Sequence, residues 1–214
     1  LLNSEVFSDG AHKDYDKCIE VCNKVLECGK YSMETVRKNV FVTHNENSKE
    51  IIFALPFDET YVTDWNAFDF HMYSLQPENQ ATYNFKATPW GGACVIPQYI
   101  ESFDPDDQRL KDDFISGPQY DKNGGVLYCT MGNMKGKPLD YVNKVNSIDD
   151  SDENQGWRWG KFEYAEGITN RLSNDFPLLR YADVYLMKAE ALLRTGHADE
   201  AAELVTKVRE RNFT

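Results

Sequence analysis

The sequence predicts a mainly α protein in which tetratricopeptide-like helical hairpins carry a large, irregular, loop-rich lobe. Apolar residues recur at helical spacing near both ends of the chain, which indicates one hairpin in residues 1–30 and another in residues 178–214. Residues 31–177 lack such a period, so we expect an irregular region there. Four residues of the first hairpin recur in the second at a constant offset of 183: Asp16/Asp199, Glu20/Glu203, Lys24/Lys207 and Val25/Val208.

The first hairpin is interrupted at Asp9-Gly10, and its second helix is expected to begin near Asp14. Gly29 is the expected end of this helix, because glycine readily takes the positive φ that follows a last turn. Cys18 and Cys22 lie one turn apart, so we expect both to pack as small apolar groups against a neighbouring helix. The inward face is Tyr15, Cys18, Ile19, Cys22 and Val25.

The second hairpin is predicted from helical patterns over 182–194 and 198–211, which Gly196 separates. Small residues let two helices approach closely, as in tetratricopeptide hairpins, and such repeats bury their faces against neighbouring repeats. Because helical patterns run up to both Leu1 and Thr214, we expect this chain to be a fragment of one longer domain. The small residues at the expected crossing are Ala189, Gly196, Ala198, Ala201 and Ala202.

The middle region combines one predicted strand with long loops. A short apolar run in residues 49–57 indicates a strand or an extended core segment. Gly124-Gly125 indicates a hairpin turn, and the acidic run 147–155 is expected to be a solvated loop. Residues 58–92 hold eight aromatic residues among Pro and Gly breakers: Tyr61, Trp65, Phe68, Phe70, Tyr73, Tyr83, Phe85 and Trp90.

Charge and cysteine content exclude several classes of protein. With 35 acidic and 23 basic residues the net charge is −12, which repels phosphate backbones, so we expect no nucleic-acid partner. No apolar stretch is long enough for a membrane span. Five cysteines, an odd number, imply no disulfide framework, and four scattered histidines lack the spacing of a zinc site.

No metal or other cofactor is predicted, and calcium is the alternative. Asp150, Asp152 and Asn154 stand at alternate positions, as at the start of an EF-hand loop. Gln155 stands where that loop requires glycine, and no glutamate completes the loop at its twelfth position. The pattern therefore matches a calcium loop only in part.

The segment 174–211 resembles the C-terminal signature of the SusD/RagB family of Bacteroidetes outer-membrane nutrient-binding lipoproteins. Two other segments are similar to family segments, namely 45–53 and the run that joins Phe103-Asp104 to Asp107-Gln108-Arg109. The resemblance covers nearly the whole chain. The residues that carry the signature are Phe176-Pro177, Arg180-Tyr181-Ala182-Asp183, Ala189-Glu190-Ala191, Gly196 and Val208-Arg209.

This resemblance implies a SusD-like α/α superhelix that binds glycans and is not an enzyme. It implies capture of an oligo- or polysaccharide at the cell surface and its delivery to a SusC-like TonB-dependent transporter. The family's signal and lipidated cysteine are missing and Cys18 lies within a helix, so an outer-membrane location implies a lipid anchor outside this chain. Two alternatives stay open: a tetratricopeptide-type protein-interaction scaffold, and a glycoside hydrolase with a carboxylate pair among Asp58, Glu59, Asp64 and Asp69.

The aromatic loops of residues 58–92 are the candidate glycan site, because long loops within a folded protein often carry function. Aromatic planes stack on the apolar faces of sugar rings, while carboxylates and amides bind sugar hydroxyls. Core packing is the alternative for each ring. The candidate residues are Trp65 and Trp90 for stacking, Tyr61 and Tyr73 beside them, and Asp64 and Asn66 as polar partners.

Two other pairs of residues are expected to be structural. Trp157 and Trp159 share one face of a strand-like segment, close to the signature hairpin. Arg180 and Asp183 stand at a helix entrance, where a buried ion pair or a cap would hold the hairpin.

Overall fold

In the computed structural model, which describes residues 1–62 and 67–213, the chain divides into two units. Unit 1 comprises Leu1–Val40, Glu46–Leu55 and Phe176–Thr214, and unit 2 comprises Phe41–Asn45 and Pro56–Asp175. The helices are α1 (Ser4–Phe7), α2 (Tyr15–Glu27), α3 (Phe70–Ser74), α4 (Gln80–Tyr83), α5 (Pro97–Glu101), α6 (Arg109–Asp112), α7 (Tyr181–Arg194) and α8 (Ala198–Arg209). The strands are β1 (Ile51–Leu55), β2 (Phe114–Ile115), β3 (Gly117–Pro118), β4 (Asp140–Tyr141), β5 (Arg158–Trp159) and β6 (Phe176–Arg180).

The helices of unit 1 follow the predicted pattern. Asp9 and Gly10 separate α1 from α2 with positive φ angles of 50° and 83°, and Gly29 follows α2 with φ of 69°. Cys18 and Cys22 are buried against α7, as predicted, because the apolar stripe of α2 is covered there. The buried residues of this cluster are Tyr15, Cys18, Cys22, Val184 and Ala191.

Helices α7 and α8 form the second hairpin and pack through small side chains. Ala189 on α7 and Ala201 on α8 are both buried, together with Leu192. Alanine at the contact lets the two helix axes come close, which is the role expected of these positions. Gly196 connects the helices with φ of 89°, a conformation that glycine takes without a steric penalty.

Strands β1 and β6 form an antiparallel ribbon in unit 1. Leu55 pairs with Phe176 at one end and Ile51 with Arg180 at the other, with register shifts between them. The predicted strand in residues 49–57 is therefore confirmed. Pro177 lies in β6, where a two-stranded ribbon leaves one edge of the strand unpaired and so tolerates a residue without an N–H.

A buried carboxylate, Glu50, joins this ribbon to the ends of the second hairpin. The Glu50 side chain is 0% exposed and forms two hydrogen bonds with the guanidinium of Arg211, at 2.6 and 3.0 Å. Arg180 approaches the same carboxylate at 3.5 Å, and its backbone N–H donates to Asp183 Oδ2 at 2.8 Å. The cap predicted at Arg180 and Asp183 is thus present, and the two side chains also form an ion pair, which is partly exposed rather than buried.

Unit 2 is held by aromatic packing and short strand pairs. Phe68 packs edge-on against Phe162, with ring centroids 4.7 Å apart, and Phe162 packs edge-on against Phe41 at 5.3 Å. Strand β2 pairs with β5, and β3 pairs with β4. A further turn at 121–125 closes the predicted hairpin, with the Asp121 N–H donating to the Gly125 carbonyl at 2.8 Å.

The acidic run 147–155 is solvated only in its first half. Ile148 is 98% exposed, whereas Glu153, Asn154 and Gln155 are buried. The prediction of a solvated loop is wrong for these three residues. Gln155 Oε1 accepts from the Asn146 N–H at 2.9 Å, and Glu153 receives backbone N–H groups from the neighbouring loop. Its carboxylate accepts from Met131 at 2.9 Å and from Thr130 at 3.3 Å.

Within the described part of the chain, no helix has the length and apolar character needed to cross a bilayer.

Candidate functional site

In unit 2, backbone hydrogen bonds connect helix α3 and the residue after it to the segment 90–93. These hydrogen bonds place the side chains of Tyr73 and Trp90 in contact, with ring centroids 4.7 Å apart and an interplanar angle of 77°. The N–H to carbonyl pairs are Trp90–Met72 at 2.7 Å, Gly91–Leu75 at 3.0 Å and Ala93–Tyr73 at 2.8 Å.

Gly91 is required at this junction. It has φ of +74°, and a Cβ there would lie 2.8 Å from Oε1 of Gln76. Gln76 is itself buried and donates from Nε2 to the carbonyl of Glu153 at 3.0 Å. A side chain at position 91 would therefore displace Gln76 and shift the loop that carries Trp90.

An aromatic groove of about 450 Å³ opens beside Tyr73. The side chains of Phe70, Tyr73, Tyr99 and Trp159 are between 44% and 51% exposed, so these large rings face solvent rather than the core. Phe70 stacks on Trp159 with centroids 5.9 Å apart and planes 25° from parallel. We call this cavity the aromatic groove, and its aromatic lining is Phe70, Tyr73, Tyr99, Phe114 and Trp159.

Trp159 is held in the groove by its backbone. Its N–H donates to Oγ of Ser74 at 2.7 Å, and its strand β5 pairs with β2, where Phe114 is its direct partner. The structural role expected of Trp159 stays a prediction, and the structure adds that 44% of its surface is exposed and that its ring lines the groove. Trp157 is more covered and accepts from the Val95 N–H at 2.9 Å through its carbonyl.

The predicted site residues fall into three groups. Tyr73 and Trp90 come together and are each 50% exposed, which argues against core packing for both. Tyr61 is 84% exposed in a turn that Asp58 stabilises, and it lines neither the aromatic groove nor the cavity next to it. Trp65 and its predicted partners Asp64 and Asn66 lie outside the described residues, so their roles stay predictions.

Sequence reasoning missed four residues of the groove: Phe70, Tyr99, Phe114 and Trp159. Phe70 was within the aromatic segment and lies one helical turn before Tyr73, so the i, i+3 spacing was an available signal. The other three come from distant segments and are brought in by strand pairing and loop contacts. The remaining aromatics of the segment include true core residues, since Phe68 and Phe85 are buried.

A second cavity, of about 630 Å³, lies on the Trp90 side. We call it the polar cavity. Trp90 lines it, Cys94 lines both cavities, and apolar side chains such as Ile96 and Met131 form part of its wall. Its polar lining is Gln76, Asn133, Asp150, Ser151, Asp152, Glu153, Gln155 and Arg158.

Glu153, at the base of the polar cavity, has a raised pKa. Burial is the main cause, and a hydrogen bond with the side chain of Glu78 contributes in the same direction. Thr130 Oγ1 also donates to Glu78. Burial and the neighbouring Glu78 side chain thus both favour the protonated form of Glu153.

Metal ligands are not grouped in the described part of the chain: no three His, Cys, Asp or Glu side chains there are placed to hold an ion. Asp152 of the predicted calcium-like run instead accepts hydrogen bonds from Asn133 Nδ2 at 3.2 Å and from Gln155 Nε2 at 3.4 Å. Calcium binding therefore stays an untested alternative.

Solved structures share this fold at low sequence identity. NanU of Bacteroides fragilis matches with a TM-score of 0.64 and 18% identity, covering 99% of this chain and 41% of its own. Surface glycan-binding protein A of Bacteroides thetaiotaomicron, solved with laminarihexaose, matches with a TM-score of 0.64 and 17% identity, covering 94% and 44%. A SusD superfamily protein of Parabacteroides distasonis matches with a TM-score of 0.61 and 19% identity, covering 92% and 38%.

This chain thus spans about two-fifths of the length of these three structures. A comparison with curated protein sequences found no match. A sequence model of the SusD family matches residues 49–214, which include β1, all of the residues that line both cavities, and the second hairpin. Because that match extends over well more than half of the sequence, the chain belongs to the SusD family.

Proposed function

We propose that this protein binds carbohydrate and that the aromatic groove is where a sugar ring stacks. The observation that carries the proposal is the group of large rings that stay about half exposed around one cavity, namely Phe70, Tyr73, Tyr99 and Trp159. A contiguous exposed apolar surface of this kind usually marks a binding site. Trp90 extends the surface beyond Tyr73.

The chemistry of the groove suits a sugar. The C–H faces of a pyranose are apolar and pack on aromatic planes, while its hydroxyls need hydrogen-bond partners at the rim. Asp113, Lys161 and Ser74 supply polar groups among the residues that line the groove. The backbone bonds of α3 and β5 fix the positions from which Phe70, Tyr73 and Trp159 project, and Phe70 and Trp159 stack on each other, which reduces the conformational entropy lost on binding.

Family membership supports the same proposal. The SusD family includes nutrient-binding proteins by the resemblance described above, and one structure with this fold is a surface glycan-binding protein solved with laminarihexaose. We extend the proposal to location and partner: a surface-exposed lipoprotein of the outer membrane that passes its glycan to a SusC-like TonB-dependent transporter. Co-purification with such a transporter from detergent-solubilised membranes tests this extension.

Binding fits the groove better than the two alternatives. A glycoside hydrolase needs two carboxyl groups roughly 5–9.5 Å apart across the sugar. Among the described residues that line the groove, Asp113 is the single carboxylate. The scaffold alternative requires buried aromatic loops, whereas Tyr73 and Trp90 are half exposed.

The test is glycan binding by the intact chain and by aromatic variants, measured by calorimetry with laminarihexaose and a panel of other neutral oligosaccharides. Replacing Trp90, Tyr73 or Trp159 with Ala should weaken binding by about 1–3 kcal/mol, which is roughly 5- to 150-fold in Kd. Tyr128→Ala is the matched control, because Tyr128 is 53% exposed in the same unit and lines neither cavity.

The thermal midpoint should change little in all four variants, because these rings are not core residues. Unchanged affinity in the three groove variants, or an equal loss in the Tyr128 control, would remove the aromatic groove as the binding site.

A further inference from the structure

We propose that the polar cavity is a second saccharide subsite that accepts uncharged glycan units and rejects units that carry a carboxylate. This inference rests on the proposed carbohydrate binding and adds the class of glycan. It assigns a selective role to Asp150 and Asp152, which line the polar cavity beside Trp90.

The position of the polar cavity makes it a subsite of the same binding surface. Trp90 lines the polar cavity, and its edge-on partner Tyr73 lines the aromatic groove. Cys94 contributes to both cavities. An oligosaccharide unit against Trp90 is therefore a neighbour of a unit in the groove, and a volume of about 630 Å³ is ample for a sugar ring.

The polar lining offers acceptors that are already oriented. Asp152 is held by Asn133 Nδ2 at 3.2 Å and by Gln155 Nε2 at 3.4 Å. A carboxylate has room for about four hydrogen bonds, so Asp152 can accept further ones from sugar hydroxyls. Asp150 is exposed on the same loop and adds a second carboxylate.

The cation that lines the polar cavity is already engaged. Arg158 is 2% exposed, and its guanidinium donates to the Glu153 carbonyl at 2.8 Å and to the Ala93 carbonyl at 3.3 Å. It also lies over the ring of Tyr141, 4.7 Å from the centroid. Its Nε lacks a hydrogen-bond partner within the described residues but is buried.

The charges of the polar cavity favour uncharged sugar units over acidic ones. Every other charged side chain among the described residues that line the polar cavity is acidic. A neutral sugar donates its hydroxyl protons to Asp150 and Asp152, whereas a uronic or sialic acid adds a further carboxylate beside them. Among the described residues that line the cavity, the one cation, Arg158, is 2% exposed and already bonded to backbone carbonyls. Exposed charges are screened over about 8 Å at physiological ionic strength, so the repulsion is local and strongest at low salt.

The experiment compares matched ligands on the intact chain at low and high salt. Oligogalacturonides and their methyl esters share one backbone and differ in the carboxylate, and a panel of neutral oligosaccharides covers other linkages. We expect at least tenfold tighter binding of the uncharged form of any matched pair at low ionic strength, and a smaller ratio in 0.5 M salt, as screening predicts in order of magnitude. If no pectic backbone binds, the same comparison uses a bound neutral glycan and its oxidised uronic form.

Variants show whether the cavity carboxylates are responsible. Asp150→Asn, alone and with Asp152→Asn, should reduce the discrimination to within about threefold. Asp149→Asn is the matched control: it makes the same charge change one residue away, and Asp149 bonds to Ser147 Oγ without lining the polar cavity. Because Asp150 is exposed, the single Asp150→Asn variant should fold normally, so a change in its selectivity cannot be ascribed to a folding defect.

The outcomes separate this inference from the proposed function. If acidic and neutral forms bind equally and Trp90→Ala weakens both, carbohydrate binding stands and the selectivity is refuted. If Asp149→Asn changes the ratio as much as Asp150→Asn, overall charge and not the polar cavity is the cause, which also refutes it. If no glycan on the panel binds, both the proposed function and the subsite are refuted.

Discussion

Buried His71 should make the stability of this protein fall as the solution is acidified from pH 7 to pH 5. His71 is 0% exposed and lies between the rings of Phe85 and Tyr164, with centroids 5.3 and 5.6 Å away. Its Nε2 is 3.2 Å from the carbonyl oxygen of Thr169, which can only accept, so Nε2 carries the proton. Nδ1 is buried without a hydrogen-bond partner among the described residues.

Burial lowers the pKa of His71 from 6.5 to about 4. The folded state therefore stays neutral at pH 5, while the unfolded chain binds a proton below pH 6.5. Because the unfolded state binds more protons in this window, stability is fully present above pH 6.5 and is lost as the pH falls toward 4. Each pH unit within the window is worth up to about 1.4 kcal/mol, so we expect about 2 kcal/mol between pH 7 and pH 5.

The assay is urea unfolding followed by tryptophan fluorescence at pH 7 and pH 5. His71→Gln keeps an amide donor for the Thr169 carbonyl but does not titrate, so its loss between the two pH values should be smaller by about 2 kcal/mol. His12→Gln removes an exposed histidine and serves as the control. Equal losses in the wild type and in His71→Gln would refute the reasoning.

Two further changes should lower stability through other mechanisms. Glu50→Ala leaves the guanidinium of Arg211 buried without its carboxylate, so urea unfolding should show a loss of about 3–5 kcal/mol, and Glu50→Leu with Arg211→Met should cost less than the sum of the two single changes. Gly91→Ala places a Cβ 2.8 Å from Gln76 Oε1 at a positive φ, so it should cost more than about 1 kcal/mol in the same assay and weaken glycan binding, while an unchanged midpoint would show that the loop adapts.

The helices of unit 1 could be predicted because their signals are local. The stripe of Cys18 and Cys22, the break at Gly10 and the connector at Gly196 all act within one or two turns of the residues they organise. Strand β6 was missed, because the short segment Phe176–Arg180 becomes a strand only through pairing with β1, far away in sequence. The segment is only five residues long and contains a proline, so its sequence alone does not indicate a strand.

The candidate site was predictable only where its residues lie close together in sequence. Tyr73 and Trp90 were found because they stand in one aromatic, breaker-rich segment. Trp159 was assigned a structural role, since nothing near it in sequence shows that its N–H reaches Ser74 or that its ring stacks on Phe70. Local composition thus identifies the loop that carries the candidate site, while long-range hydrogen bonds decide which rings complete it.

The packing of α2 on α7 has a consequence for synthesis of the chain. About 150 residues separate the end of α2 from the start of α7. Because ribosomes add roughly 5–20 residues per second, α7 is synthesised roughly 10–30 s after the α2 helix that it covers. During that interval the apolar stripe with Cys18 and Cys22 is open to other nascent chains. On the opposite face of α2, Glu20 forms ion pairs with Lys17 and Lys24. Because these pairs form within one helix, they can stabilise α2 and keep this face charged before α7 is made.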